Sequence, residues 1–343
     1  MSDEPSSKRR KLVMTYDSDK EVMANLDPNV RLQLALQSQK LRTLDKSTPL
    51  ICDNIAFNSF RGYGTKINEV NYLVGVFPRD SGPEQEALSK SYDVCRAGTT
   101  TIGGPGLCLR YSVNGEMKEQ WDYNDGSTLV MARGRLHTHI FGHREFPIQV
   151  RRLSMLDPVI TLPTRVQFQI KELEVAGDLL AAIQCIKQFI TPDSFPLEHL
   201  EFHHPSDDGV AEGNDPVIRS ARKIKLWNFL QTGTLGFLKT VRHKNITVVR
   251  VLYPVTEYIP LIEDLQTKKR EIGSSIEFVH TWASQIEEIL NLVKPHFPHR
   301  ENENGDIFIS TDHNSQIYIS AEEDSNLTVL KFEILPAEKK IQD

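Results

Sequence analysis

One short apolar pattern returns along the middle of the chain and limits the folds that it can adopt. The segment Val150-Arg151-Arg152-Leu153-Ser154-Met155 ends in the alternation of a short half-buried strand, and similar segments follow it. The equivalent apolar residues are Leu153, Leu173, Leu200, Ile224, Val249 and Ile276, which advance by 20, 27, 24, 25 and 27 positions. Most of these strands precede a stretch with helical periodicity, so each unit is predicted to be one strand and one return helix.

Strands that are joined by helical returns run parallel, and each unit must stack on its neighbours to bury an apolar face. We therefore expect an α/β protein in which residues 146–300 form a leucine-rich-repeat-like parallel β/α solenoid. Solenoids of this kind present binding surfaces far more often than catalytic clefts.

The flanking segments have different periodicities and are predicted to form separate parts of the structure. Residues 14–48 read as a three-helix block, with start signals at Ser18, Asp27-Pro28 and Ser38. Residues 49–145 combine a first repeat strand with an insertion that contains a hairpin at Asn114-Gly115 and a helix. Residues 301–337 alternate as an antiparallel β cap, and residues 1–13 and 338–343 read as tails.

Composition excludes several broad classes of protein. The net charge of −6, from 46 acidic and 40 basic residues, gives no general electrostatic basis for nucleic-acid binding. The absence of a long apolar run argues against membrane insertion and secretion, and the widely separated Cys52, Cys95, Cys108 and Cys185 favour a reducing compartment. We expect a cytoplasmic or nuclear protein, with the adjacent cations Lys8, Arg9, Arg10 and Lys11 as a candidate nuclear-import signal.

The chain contains no recognisable catalytic or metal-binding motif. Six histidines fall in two groups, 137–143 and 199–204, and His139 and His143 share a helical face, so zinc is conceivable. Neither group is completed by Cys, Asp or Glu in the sequence, so we predict no metal and no cofactor. The chain also lacks a nucleophile motif and a phosphate loop, which predicts a non-enzyme. Trp227 and Phe229 are predicted to be core residues rather than anchors on a binding face.

Several segments resemble a known family. Glu21-Val-Met-Ala-Asn-Leu-Asp-Pro-Asn-Val-Arg-Leu32 and Lys40-Leu-Arg-Thr-Leu44 resemble an F-box, the three-helix motif that docks on the adaptor of cullin-based ubiquitin ligases. Phe146-Pro-Ile-Gln-Val150, Lys171-Glu-Leu-Glu-Val175 and Ser194-Phe-Pro-Leu-Glu-His-Leu200 are similar to the associated domain of the nematode F-box family, F-box C branch. Leu162-Pro163, Asp215-Pro-Val-Ile-Arg-Ser-Ala221 and Thr267-Lys-Lys-Arg-Glu-Ile-Gly273 extend the resemblance.

This resemblance implies a non-catalytic substrate-recognition subunit of a cullin-type (SCF) ubiquitin ligase. Its partners would be the ligase adaptor, the cullin and an unknown target protein, with no nucleic acid and no membrane. The adaptor-binding residues would be Val22, Met23, Leu26, Pro28, Val30 and Leu34. The chain departs from the motif at Asp19, where relatives tend to have an apolar residue. The alternative is a stand-alone binding protein, possibly nuclear, whose degenerate F-box no longer binds the adaptor.

Overall fold

The fold was analysed in a computed structural model of the chain. It describes residues 16–58, 63–76, 107–113, 116–122, 129–156, 162–177, 179–203, 214–227, 233–249, 255–280, 283–324 and 327–337. Within these residues the helices are α1 Tyr16–Asn25, α2 Pro28–Gln37, α3 Gln39–Lys46, α4 Leu129–Phe141, α5 Leu179–Lys187, α6 Pro216–Ser220, α7 Gly233–Thr240, α8 Tyr258–Thr267 and α9 Ala283–His296. Short 3₁₀ turns span Pro192–Ser194 and Val255–Glu257.

The strands in the same residues all belong to one sheet. They are β1 Ile51–Asn58, β2 Tyr63–Ile67, β3 Val70–Val76, β4 Leu107–Val113, β5 Glu116–Asp122, β6 Ile148–Met155, β7 Phe168–Ala176, β8 His199–His203, β9 Ile224–Trp227, β10 Asn245–Val249, β11 Ser275–His280, β12 His299–Glu301, β13 Ile307–Ser310, β14 Ser315–Asp324 and β15 Leu327–Pro336. Their spatial order is β12-β13-β14-β15-β11-β10-β9-β8-β7-β6-β1-β2-β3-β4-β5.

The N-terminal block consists of three helices with the start signals that the sequence carries. Asp27 caps α2, since its side chain accepts hydrogen bonds from the backbone of Asn29 and Val30, and Pro28 occupies the first helical position. Ser38 caps α3 by accepting from the backbone of Leu41. The first helix begins at Tyr16, two residues before the predicted cap at Ser18. The prediction of an N-terminal helical block is confirmed.

The central strands are parallel and follow one another in space as they do in the chain. β1 pairs with β6, and β6 to β11 then pair successively, each with the next. The pairing places one apolar residue of each strand in a continuous row, Ile55, Leu153, Leu173, Leu200, Ile224, Ile246 and Ile276, and each is at most 4 % exposed. Because no strand can bury this row alone, the order of the strands follows directly from the repeated pattern.

The fifth repeat is the one place where the predicted register is wrong. The sequence pattern placed Val249 in the buried row, but the pairing puts Ile246 opposite both Ile224 and Ile276. Val249 lies three positions later, pairs with Trp227 and is half-buried on the other face of the strand. In β10 both Ile246 and Val248 alternate with less buried residues, so the alternation alone fits either choice of reference residue.

Antiparallel strands extend the parallel run on both sides. At the C-terminal side β15 pairs with β11, and β14, β13 and β12 follow. At the other side β2 to β5 continue from β1, with the hairpin strands β4 and β5 outermost. The C-terminal antiparallel strands and the insertion hairpin were predicted, whereas β2 and the joining of the insertion to the same sheet were not. Among the described residues, no helix is long and apolar enough to cross a membrane.

One hydrophobic core connects the helices to the sheet. It runs from Leu32 of α2 through Phe141 of α4 and Ile183 of α5 to Ile289 of α9, and it includes the buried row of the parallel strands. The alternate side chains of the strands therefore point away from this core. They form the surface that carries the candidate site.

Candidate functional site

The strand side chains that point away from the core form a charged surface across β6 to β9. We call it the polar face and define it by Arg152, Glu172, Glu174, Glu201, His203, Lys225 and Trp227. Cross-strand pairing aligns these residues, since Arg152 lies opposite Glu172, Glu174 opposite Glu201, and Glu201 opposite Lys225. Neighbours in one row of a sheet lie close enough to form ion pairs and ring contacts.

Arg152 is the centre of the polar face. Its Nη2 atom donates to Glu174 Oε2 at 3.0 Å and to Glu201 Oε2 at 2.8 Å. Ser154 donates to the same Glu174 oxygen at 2.6 Å. The Glu201 side chain is only 5 % exposed, so its charge depends on Arg152 for compensation.

The network holds Glu174 in its ionised form. Burial opposes the charge, but hydrogen bonds from His203, Ser154 and Arg152 outweigh it and lower the pKa of Glu174 to about 2. For Arg152, burial opposes the charge and the bonds to Glu174 and Glu201 overcome it, so its pKa is raised. The pKa of His199 is lowered, mainly by burial, although Glu201 acts in the opposite sense.

Trp227 lies on the polar face, so its predicted place in the core is wrong. Its indole ring stacks on the His203 ring with centroids 5.9 Å apart and planes 6° apart. The Lys225 ammonium lies 4.2 Å from the indole centroid, and the indole nitrogen donates to Glu201. Trp227 is half-buried within this polar setting because β9 turns it away from the core, in which Leu226 is buried. Phe229 falls outside the described residues.

The second histidine group gains carboxylates that are distant in sequence. One ligand atom from each of Glu174, Glu201 and His203 lies within 4.8 Å of the others. The interpretation that no acid completes this group is therefore wrong, because β7 supplies Glu174 from 29 residues away. The carboxylate oxygens already accept from Arg152, Ser154 and Trp227, so a cation would have to displace the guanidinium.

The first histidine group has different environments at its three members. His137 is buried and shares a hydrogen bond of 2.9 Å with Thr65. His139 and His143 both line a groove between α3 and α4. Burial raises the pKa of the nearby Cys52 thiol to about 12, so that thiol is a neutral core side chain.

The helical block exposes part of the surface that the F-box resemblance assigns to the adaptor. Val22 is 48 % exposed and Val30 is 42 % exposed. Leu26, Pro28 and Leu34 are half-buried beside them, whereas Met23 is 3 % exposed and belongs to the interior of the block. Asp19 forms an ion pair with Lys40 at 3.7 Å. The cations Lys8, Arg9, Arg10 and Lys11 lie outside the described residues.

The block is fixed to the sheet domain by a buried group of charges. Asp45 of α3 is fully buried and pairs with Arg31 of α2 at 3.0 Å and with Arg144 after α4 at 2.8 Å. Arg31 also donates to the carbonyls of Thr48 and Pro49. The sequence gave no signal for this group, since its members are separated by 14 and 99 residues.

Comparison with known proteins finds one similarity. Residues 132–281, from within α4 to just beyond β11, match a family described as a domain of unknown function, DUF3557. No curated protein matches the chain, and no solved structure matches it. Over its parallel strands this chain is therefore similar to DUF3557.

Proposed function

We propose that the chain is a non-catalytic substrate-recognition subunit of a cullin-type (SCF) ubiquitin ligase. The observation that carries the proposal is an exposed apolar surface on a three-helix block that is fixed to a large binding sheet. Such a protein accelerates ubiquitin transfer through proximity, since it raises the effective concentration of its target near the transferring enzyme.

The adaptor would bind α1 and α2. Val22 and Val30 supply exposed apolar side chains, and Leu26, Pro28 and Leu34 supply half-buried ones next to them. Met23 would support this surface from beneath rather than contact the adaptor. Asp19 is partnered by Lys40, so its charge does not stand alone beside the docking surface.

The fixed attachment of the block supports this role. Asp45 bridges Arg31 of the block and Arg144 of the sheet domain, and Lys46 donates to the carbonyl of Ile140 at 2.9 Å. A rigid connection holds the adaptor and the target at a constant separation, which favours repeated transfer to the same region of the target.

The parallel run would be a leucine-rich-repeat-like solenoid whose polar face binds the target. The consecutive strands, their in-register buried row and the helices between them support this assignment. The polar face offers an indole, a lysine and partly exposed carboxylates, which suits a protein surface of mixed charge.

The test of the proposal is co-purification of the chain with the adaptor and the cullin. Val30→Asp introduces a charge into the proposed docking surface and should abolish that association. Ile272→Asp is the matched control, because Ile272 is 52 % exposed and lies between α8 and β11. Circular dichroism of both variants reports whether they remain folded.

The proposal fails if the wild-type chain captures neither adaptor nor cullin, or if Val30→Asp captures them as well as the control does. In that case the alternative function is favoured, a stand-alone binding protein in which the block only caps the sheet. One contact supports this alternative. Asn29 of α2 donates to the carbonyl of Ile67 at 3.2 Å and accepts from Tyr72 at 2.8 Å, so the block already covers the start of the sheet.

A further inference from the structure

A groove between α3 and α4 is lined mainly by cationic side chains. We call it the cationic groove and define it by Arg42, Lys46, Arg135, His139 and His143. Its volume is about 840 Å³, and Glu145 is the one acidic residue among its described lining residues. This volume is large enough to enclose a polar ligand with several heavy atoms.

The cations of the groove repel one another without a local counter-charge. Burial, followed by Lys46 and Arg42, lowers the pKa of His139 to about 4. Burial, followed by Arg144, lowers the pKa of Lys46 to about 7. Asp45 opposes both shifts, but its carboxylate is already paired with Arg31 and Arg144. An anion in the groove would relieve this repulsion.

Two features prepare the groove to receive a ligand. The Nε2 atom of His139 is buried and has no hydrogen-bond partner among the described residues. Gly134 lines the groove from inside α4, and a β-carbon placed there would meet no atom within 4 Å. A glycine within a helix costs about 1 kcal/mol relative to alanine, so the open space at this position is maintained at some cost in stability.

We propose that the cationic groove binds a phosphate monoester dianion. Arginine side chains such as Arg42 and Arg135 match the oxygen geometry of phosphate, and the unpartnered His139 nitrogen can accept from or donate to a phosphate oxygen according to its protonation. A single carboxylate would leave most of the positive charge uncompensated, whereas a dianion balances two of the cations. This site lies apart from the polar face and does not depend on the ligase proposal.

The first experiment titrates the full chain with inorganic phosphate by calorimetry at constant ionic strength, with chloride as the reference. Phosphate should bind with a single site per chain and raise the melting temperature, and chloride should do neither. If the two ions have equal effects, the proposal is overturned.

Variants locate the site. Arg42→Gln removes a lining cation, and Gly134→Leu fills the open space, so each should weaken phosphate binding by about tenfold or more. Gly134→Ala leaves most of that space open and should retain binding. Arg222→Gln, at an exposed arginine outside the groove, is the charge-matched control for Arg42→Gln. Unchanged binding in both Arg42→Gln and Gly134→Leu would place the phosphate elsewhere and overturn the assignment.

Two further titrations distinguish the source of the phosphate group. A short peptide with one phosphoserine should bind more tightly than glycerol 2-phosphate if the natural ligand is a phosphorylated protein. Equal affinity for the two would indicate a small phosphorylated metabolite. A complete lack of binding by both, despite binding of inorganic phosphate, would exclude a monoester and overturn the proposal.

Discussion

Asp45 and Arg144 are 99 residues apart, yet the Asp45 Oδ2 atom accepts a hydrogen bond of 2.8 Å from Arg144 Nη2. The same carboxylate binds Arg31 through its other oxygen. Because Arg31 belongs to α2 and Arg144 follows α4, one buried acid holds the helical block against the sheet domain.

Removing the charge of Asp45 should therefore strongly destabilise the chain. In Asp45→Asn two buried guanidinium groups lose their counter-ion, and breaking a buried ion pair in this way costs about 3 to 5 kcal/mol. Urea denaturation measures the free energy of unfolding. Asp53→Asn, at an exposed position of β1, should change it by less than about 0.5 kcal/mol. Equal effects of the two substitutions would contradict the bridging role.

The stability of the chain should rise between pH 7 and pH 9 because of Lys46. Burial and Arg144 are the main causes of its lowered pKa of about 7, with Asp45 opposing them and Arg42 and Arg31 adding to them. The unfolded lysine titrates near 10.4, so the unfolded chain binds more protons in this window and the free energy of unfolding increases with pH. The gain should be on the order of 1 to 2 kcal/mol.

Lys46→Met is the variant that isolates this effect. Its free energy of unfolding should be nearly flat over the same range, relative to the wild type. Above pH 9 the buried Cys52 thiol acts in the opposite sense, since the unfolded chain releases that proton first. An identical pH slope in the variant would show that another group is responsible.

Glu174 should stabilise the protein above pH 4.5 and lose this effect as the pH falls towards 2. Its folded pKa of about 2 lies below the ordinary value of 4.5, so protonation within this window favours the unfolded chain. Glu174→Gln should cost about 1 to 3 kcal/mol at pH 7, and the difference from wild type should vanish near pH 2. Glu198→Gln, at a mostly exposed pair with Lys171, should cost less than about 1 kcal/mol at any pH.

Two glycines near α4 should respond in opposite directions to alanine. Gly134 has open space around its missing β-carbon, so Gly134→Ala should stabilise the helix by about 0.5 to 1 kcal/mol. Gly142 would place a β-carbon 2.6 Å from the Thr138 carbonyl oxygen, so Gly142→Ala should destabilise by about 1 to 3 kcal/mol. Thermal unfolding of both variants checks the signs, and a shared sign would contradict the local geometry.

Trp227 should matter more for target binding than for stability. Trp227→Ala should cost less stability than Phe202→Ala, which empties a fully buried core position and should cost about 3 to 5 kcal/mol. In quantitative affinity purification the target should be lost with Trp227→Ala and retained with Phe146→Ala, which removes an aromatic side chain that is 47 % exposed. Retention of every captured protein by Trp227→Ala would exclude the polar face as the binding surface around this residue.

The sequence was sufficient for the elements whose signals are local. The caps at Asp27 and Ser38 and the repeated apolar row, apart from the fifth repeat, could be read directly because they depend on neighbours in the chain. The candidate sites could not be read in this way. Glu174 meets His203, and Asp45 meets Arg144, only after distant strands and helices have packed together. Trp227 was misplaced because its aromatic character fits a core as well as a surface, and only the strand register decides between them.

The outermost strands of the described sheet have a consequence for how the protein behaves at high concentration. β12 consists of His299, Arg300 and Glu301, all exposed, and β5 carries Glu116, Lys118, Glu119 and Asp122. A short or charged margin discourages another chain from adding its own strand there, which is the common route to fibres in proteins with long sheets. The array should therefore stay soluble and finite, even though its interior repeats would in principle continue without limit.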